Sequence, residues 1–241
     1  YKDVVEALEL FLKAAPALQH VETYQYDLVD LTRQVLSDLF DYWLILLEQE
    51  YNLGDQTNFL KHRDFLIEVI KDMDLILATN KKFLLGVWIK DAESWAQSED
   101  EIGLYRFNAK NQITEWGPVT SSLHDYSGKQ WAGLVDDFHL PRWELYFKTL
   151  EEALWNKTDY DSELFLKESY ALEEGWLYDS KDYPTEPQGD SVDIANQLIK
   201  KYRGLTEDHD TAHRKPTYGL FSFGGFYFIL PLIVYMMFKP Q

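Results

Sequence analysis

The chain has 241 residues, no cysteine, a formal net charge of −18 and a pI near 4.6. That length supports one good core, or a core with an appendage. Without thiols there are no disulfides, zinc–thiolate sites or thiol catalysis, and the acidic balance excludes the basic patch that nucleic-acid binding requires.

Val4, Leu8, Phe11 and Leu12 recur at helical spacing over residues 3–14, and Pro16 stops the run. The strongest helix spans Asp27 to Tyr51, with Asp27 as N-cap and a stripe of Leu28, Leu31, Val35, Leu39, Tyr42, Leu46 and Leu47. Asn52-Leu53-Gly54-Asp55 ends it. Phe59, Phe65, Leu66, Val69, Ile70, Met73 and Leu77 make a third helix, closed at Thr79-Asn80. A fourth runs from about Phe83 to Ala96, and Ser98 with Glu101 has the spacing of a capping box that opens a fifth. After a Trp116-Gly117-Pro118 loop, a sixth helix is expected over about Ser127–His139 with Asp125 as N-cap. Pro141 suits the first turn of a seventh, 141–156. Asp161 opens an eighth that ends near Glu174. Asp190 follows a loop with two prolines and caps a ninth through Tyr202.

No run alternates with period two, so the expected fold class is all-α: about nine packed helices in a helical-bundle-like domain, plus a C-terminal apolar helix. Residues 1–203 form the domain and 204–216 read as a polar linker. Residues 217–238 are 22 positions without a charge, roughly 33 Å as a helix and enough to cross a bilayer core. Three readings of that segment stay open: a membrane anchor, read-through of intronic sequence, or an apolar tail packed on the domain. The chain opens at Tyr1 with no charged and apolar leader, so no signal peptide is visible and a fragment is expected.

The stretch Asn111–Trp143 carries the chemistry. It sets Trp116, Tyr126, Trp131 and Trp143 around a Gly117-Pro118 turn, a Lys129-Gln130 pair and a Pro141-Arg142-Trp143 corner. Aromatic faces beside hydrogen-bonding tips suit a pyranose, which offers C–H groups on its face and hydroxyls on its rim. Trp116 is either a platform for a sugar or a plug for its loop, and Tyr126 either a hydroxyl donor to a ligand or a partner for a buried backbone group. Trp131 and Trp143 read as core, while Lys129 and Gln130 either contact substrate or hold the loop. The acidic pairs Asp136-Asp137, Glu151-Glu152 and Glu173-Glu174 point about 100° apart on a helix and read as surface charge, so no catalytic carboxylate pair is expected. His209 and His213 have the i, i+4 spacing of a zinc helix, but Asp210 stands where that motif needs Glu and no third ligand is evident. Neither metal nor cofactor is expected. Asn156-Lys157-Thr158 is the one glycosylation sequon.

The Asn111–Trp143 segment resembles one in the C-terminal helical domain of the α-N-acetylglucosaminidase family, lysosomal-type glycoside hydrolases that remove terminal N-acetylglucosamine from heparan sulfate. Three further blocks resemble that family in order: Tyr26–Gln34, Phe83–Trp88 and Tyr183–Asp190, the last followed by Val192-Asp193. The likeness covers roughly residues 1–203; the apolar tail has no counterpart. It implies a preceding barrel that holds the catalytic glutamates, so this chain alone would be inactive. It also implies that Trp116, Leu123 and Tyr126 face the substrate pocket, that the partner is an N-acetylglucosamine-terminated glycan together with the barrel, and that the location is lysosomal. The net charge sits awkwardly with a polyanionic substrate, a conflict that an acidic compartment softens by protonating part of the carboxylates. The alternative is a non-catalytic helical module that binds a glycan or protein, tethered to a membrane through residues 217–238.

Overall fold

The structure, a computed structural model, describes residues 2–118 and 124–207. Among them are nine α-helices and no β-strand: α1 Lys2–Lys13, α2 Ala15–Leu18, α3 Glu22–Leu53, α4 Gln56–Leu77, α5 Leu85–Glu93, α6 Glu99–Ile113, α7 Leu140–Asn156, α8 Ser162–Tyr178 and α9 Ser191–Glu207. The all-α expectation holds.

α3 and α4 form an antiparallel hairpin that organises the domain, with α1 and α9 against α3 and α7 against α4. The hairpin reverses at Gly54, whose φ of 74° closes α3 in the left-handed region; Asp55 then caps α4 by accepting from the Asn58 N–H at 3.0 Å. Leu28, Leu39 and Leu47 of α3 interlock with Leu66, Val69, Ile70 and Met73 of α4, all fully buried. Each such side chain contributes about 1.5–3 kcal/mol of burial, and together they form the core on which the smaller α5–α8 layer rests.

One expected start moves, and another holds without its expected bonds. α3 begins at Glu22 with Val21 as N-cap, so Asp27 is not a cap but an exposed residue within the helix. Its neighbour Tyr26 stacks on Phe83, ring centroids 4.9 Å apart. The Ser98 hydroxyl makes no cap bond, and Glu101 reaches back past Ser98 to the Gln97 N–H at 2.8 Å, so the expected capping box does not form.

The sixth helix, 127–139, does not form. Asp125, Gly128 and Gly133 have φ of 56°, 58° and 87°, and left-handed residues cannot sit inside a right-handed helix. The backbone of Ala132 is also engaged elsewhere: its N–H donates to the Phe83 carbonyl at 2.8 Å and its carbonyl accepts from the Leu85 N–H at 3.1 Å. Only Val135–His139 coils, as a π-turn running into α7.

The four sequence blocks meet around this extended strip. Tyr183-Pro184 lies so close to Gly86 of α5 that any Cβ there would run into the Pro184 carbonyl, which is why that position needs glycine. The Tyr183 ring covers Gly133, and its hydroxyl accepts from Trp176 Nε1 at 3.1 Å.

α9 continues through Gly204–Glu207, past the expected start of the linker. The apolar segment 217–238 and the His209/His213 pair lie outside the described residues. Among the described residues no helix is long and apolar enough to cross a membrane, and no group of three or more metal-ligating side chains occurs.

Candidate functional site

α6 ends at Ile113, and the chain leaves it through Thr114, Glu115 and Trp116. Trp116 has φ 53°, a left-handed conformation that costs a bulky residue on the order of 1–3 kcal/mol and persists only where surrounding bonds enforce it. Those bonds are present. The Trp116 N–H donates to the Asn111 carbonyl at 2.8 Å, and the Asn111 side chain donates to the Gly117 carbonyl at 2.7 Å. On the returning strand the Asp125 N–H donates to the Thr114 carbonyl at 2.6 Å, and the Ser127 hydroxyl donates to the Ile113 carbonyl at 2.6 Å.

The result sets Trp116 and Tyr126 side by side on the surface. Their ring centroids are 5.9 Å apart at 46°, with Trp116 45 % and Tyr126 71 % exposed. Trp116 is half covered, whereas Tyr126 is exposed rather than set on a buried backbone group. Leu123 lies outside the described residues.

Beneath this pair lies a buried charged array. Arg142 of α7, fully buried, donates Nη1 to Asp125 Oδ1 at 3.0 Å and Nη2 to Asp125 Oδ2 at 2.8 Å. On its other side Nε lies 2.8 Å from Glu173 Oε1 of α8, an ion pair without good hydrogen-bond alignment. Glu173 Oε2 sits 3.2 Å from His124 Nδ1, and the Arg142 guanidinium stacks 4.7 Å over Phe138. Burial works against the Arg142 charge, but Asp125 and Glu173 more than offset it and raise its pKa. Asp125 is thus the loop's ionic anchor. It is not the N-cap expected from the sequence, because no helix follows it.

Glu173 likewise departs from the surface-charge reading, being fully buried. A signal was present: Phe165, Ser169, Glu173 and Trp176 recur at helical spacing and are all buried in α8. Glu115 is a second residue that the sequence reading passes over. Its carboxylate is fully buried, both oxygens lack a hydrogen-bond partner, and burial together with the Glu173 charge pushes its pKa up to about 7. The buried ring of His139 is pushed down to about 4 by desolvation; its Nε2 lies 3.1 Å from the Lys129 carbonyl.

Of the remaining loop residues, Gln130 and Trp143 are structural. Gln130 is buried between Arg33 and Ser37 of α3, so it holds the loop and tethers the Tyr26–Gln34 block to it. Lys129 is exposed, its ammonium 5.1 Å over the half-buried Trp131, and Trp143 is fully buried in the core. Among the described residues the Asp125 carboxylate beneath the rings is taken up by Arg142, and the array holds a surface in place.

A helical domain of this build occurs in solved glycoside hydrolases. The family 89 glycoside hydrolase from Clostridium perfringens, in complex with 2-acetamido-1,2-dideoxynojirmycin, matches with a TM-score of 0.74 and 26 % identity, over 82 % of this chain and 23 % of that one. A Glu→Gln double variant from the same organism, in complex with its substrate GlcNAc-α-1,4-galactose, matches with a TM-score of 0.76 and 26 % identity, over 85 % and 24 %. Fold and loop together define the C-terminal helical domain of a glycoside hydrolase. The family described as "Alpha-N-acetylglucosaminidase (NAGLU) C-terminal domain" matches residues 1–201. Human α-N-acetylglucosaminidase is 35 % identical over 201 residues, which are 83 % of this chain and 27 % of that protein. The chain belongs to the α-N-acetylglucosaminidase family, as its C-terminal domain, and spans about a quarter of the length of these relatives.

Proposed function

We propose that this domain forms one wall of the active-site cleft of an α-N-acetylglucosaminidase, with Trp116 and Tyr126 facing the terminal sugar of an N-acetylglucosamine-terminated glycan. The catalytic glutamates belong to a barrel domain outside this sequence. The observation that carries the reading is the pair of exposed, adjacent rings on a strained loop, anchored from below by Asp125 and Arg142. Trp116 offers its face or edge to the sugar's C–H groups and Tyr126 its hydroxyl. Leu123 belongs to the same wall by family resemblance.

In the complete hydrolase, Trp116→Ala is expected to lower kcat/KM on an aryl α-N-acetylglucosaminide by roughly tenfold or more, about 1.4 kcal/mol of transition-state binding. The melting temperature stays nearly unchanged, because so exposed a ring contributes little to the core. Normal kinetics in that variant would remove Trp116 from the site.

The substrate, by the same reading, is heparan sulfate and the compartment lysosomal. Passage through the secretory pathway makes Asn156 the acceptor for an N-glycan. It is the exposed last residue of α7, directly before the left-handed Lys157, and Thr158 is exposed as well. Peptide mapping of protein from a eukaryotic secretory host should find a glycan at Asn156 that N-glycosidase removes. A bare Asn156 peptide would count against that route.

A further inference from the structure

Glu115 lies between the end of α6 and Trp116. Its carboxyl group is fully buried, yet neither oxygen has a hydrogen-bond partner among the described residues. Charge reaches it from Arg142 of α7, from Glu173 and Glu174 of α8, and from His124 on the returning strand. Both basic groups are engaged. Arg142 is held between Asp125 and Glu173, and His124 Nδ1 lies against Glu173 Oε2. An ionised Glu115 is therefore a third buried carboxylate around a single guanidinium, with no donor of its own. Protonation removes that conflict, and burial together with the Glu173 charge sets the change at about pH 7.

The neighbour in sequence makes the conflict consequential. Trp116 follows at φ 53°, so the segment carries backbone strain that only its surrounding bonds hold in place. Those bonds run from the Trp116 N–H to the Asn111 carbonyl, from the Asn111 side chain to the Gly117 carbonyl, and from the Asp125 N–H to the Thr114 carbonyl. Moving Glu115 into water solvates its charge and releases the Trp116 strain together. It also draws Trp116 away from Tyr126, because a single peptide bond joins it to Glu115. A protonated Glu115 has no such drive and stays packed.

We propose that Glu115 is a proton-operated latch for the aromatic loop: neutral, it stays buried and keeps Trp116 beside Tyr126; ionised, it leaves the interior and takes Trp116 with it. The latch rests on the cleft-wall function proposed above and adds its regulation, the wall being assembled in acid and opened near neutrality. Glu115 itself touches no substrate. It is a positioning residue that acts through Trp116.

Two measurements on the complete hydrolase test the latch. The first is kcat/KM of Glu115→Gln relative to wild type on an aryl α-N-acetylglucosaminide, followed from pH 5 to 8. Titration of the catalytic groups acts on both proteins alike and cancels in this ratio. The ratio is expected within about twofold of one at pH 5 and at about fivefold or more at pH 8. Glu115→Met, which cannot ionise either, should show the same rise and stands in if the carboxamide disturbs folding. The second is hydrogen exchange of the Trp116 and Asp125 amides, corrected for the intrinsic effect of pH. Wild-type protection should fall by about tenfold or more from pH 5.5 to 8 and stay level in the variant. Protection independent of pH, or a fall that survives in both variants, would overturn the latch. So would variants that lose the same share of activity at every pH, since Glu115 would then be a purely structural residue. A fall in protection that the variants abolish, with a rate ratio flat across the range, would leave the latch standing and remove the loop from the cleft wall.

Discussion

Replacing Arg142 with methionine is expected to destabilise this chain by about 3–5 kcal/mol, the usual consequence of removing one partner from a buried ion pair. For a domain of this size that is a fall of roughly 10 °C in melting temperature. The side chain is fully buried between Asp125 and Glu173, with two hydrogen bonds to the first and an ion pair to the second. Methionine fills much of the volume but leaves two carboxylates without their counter-charge. Both then lose stability or take up protons, and Asp125 no longer ties the loop to α7. Trp116 and Tyr126 therefore lose their fixed relation although neither residue has been touched. A triple variant that adds Asp125→Asn and Glu173→Gln removes the stranded charges and should recover most of the melting temperature. Thermal unfolding of the two variants decides the matter. A single variant that melts like wild type would mean that the array is not held by the Arg142 charge.

The second large effect is a stability that rises as the medium becomes acidic. Glu115 titrates at about 7 in the fold against an ordinary value of 4.5. The folded chain therefore holds that proton more tightly than the unfolded chain does. Its contribution is complete below about pH 4.5 and is lost as pH rises through 7. Between pH 5 and 7 this amounts to roughly 2 kcal/mol for Glu115 alone. Glu48, pushed up to about 8 by burial, and Asp74, pushed up to about 6 by burial, act in the same direction. His139 opposes them: with its pKa pushed down to about 4, the unfolded chain protonates first, and stability is lost as pH falls from 6.5 toward 4. His62, whose pKa burial also lowers, acts as His139 does; three carboxyls against two imidazoles leave a net gain on acidification from pH 7.5 to 5. Glu115→Gln should shrink the difference in melting temperature between those two pH values by roughly 5 °C, chiefly by raising the value at pH 7.5. An unchanged difference would show that Glu115 does not titrate in that window. An acid-favoured fold also suits the lysosomal setting proposed for the parent hydrolase.

Most of the helical skeleton was readable from local pattern. The stripes of α3 and α4, Pro141 in the first turn of α7, and the caps Asp161 and Asp190 all depend on residues within a few positions of one another. Trp116 and Tyr126 could be singled out because Trp-Gly-Pro and Asp-Tyr-Ser-Gly do not fit any helical stripe. The four family-like blocks were visible in order, although nothing in the sequence explains why they lie together. In the fold they share one strip, with Gln130 on Arg33, Ala132 on Phe83 and Leu85, and Tyr183 over Gly133.

The all-α class, the stripes of α3 and α4, the family and the aromatic loop were legible in the chain itself, because helical periodicity and short motifs are local properties. Long-range packing was needed to keep residues 127–133 out of a helix and to make Asp125 an anchor. It also decided that Glu115 and Glu173 are buried. The physical reason is common to all of these. A backbone whose hydrogen bonds are taken by a distant strand cannot also close a helix, and a carboxylate is surface charge or buried counter-ion according to what packs on it from far away in the chain.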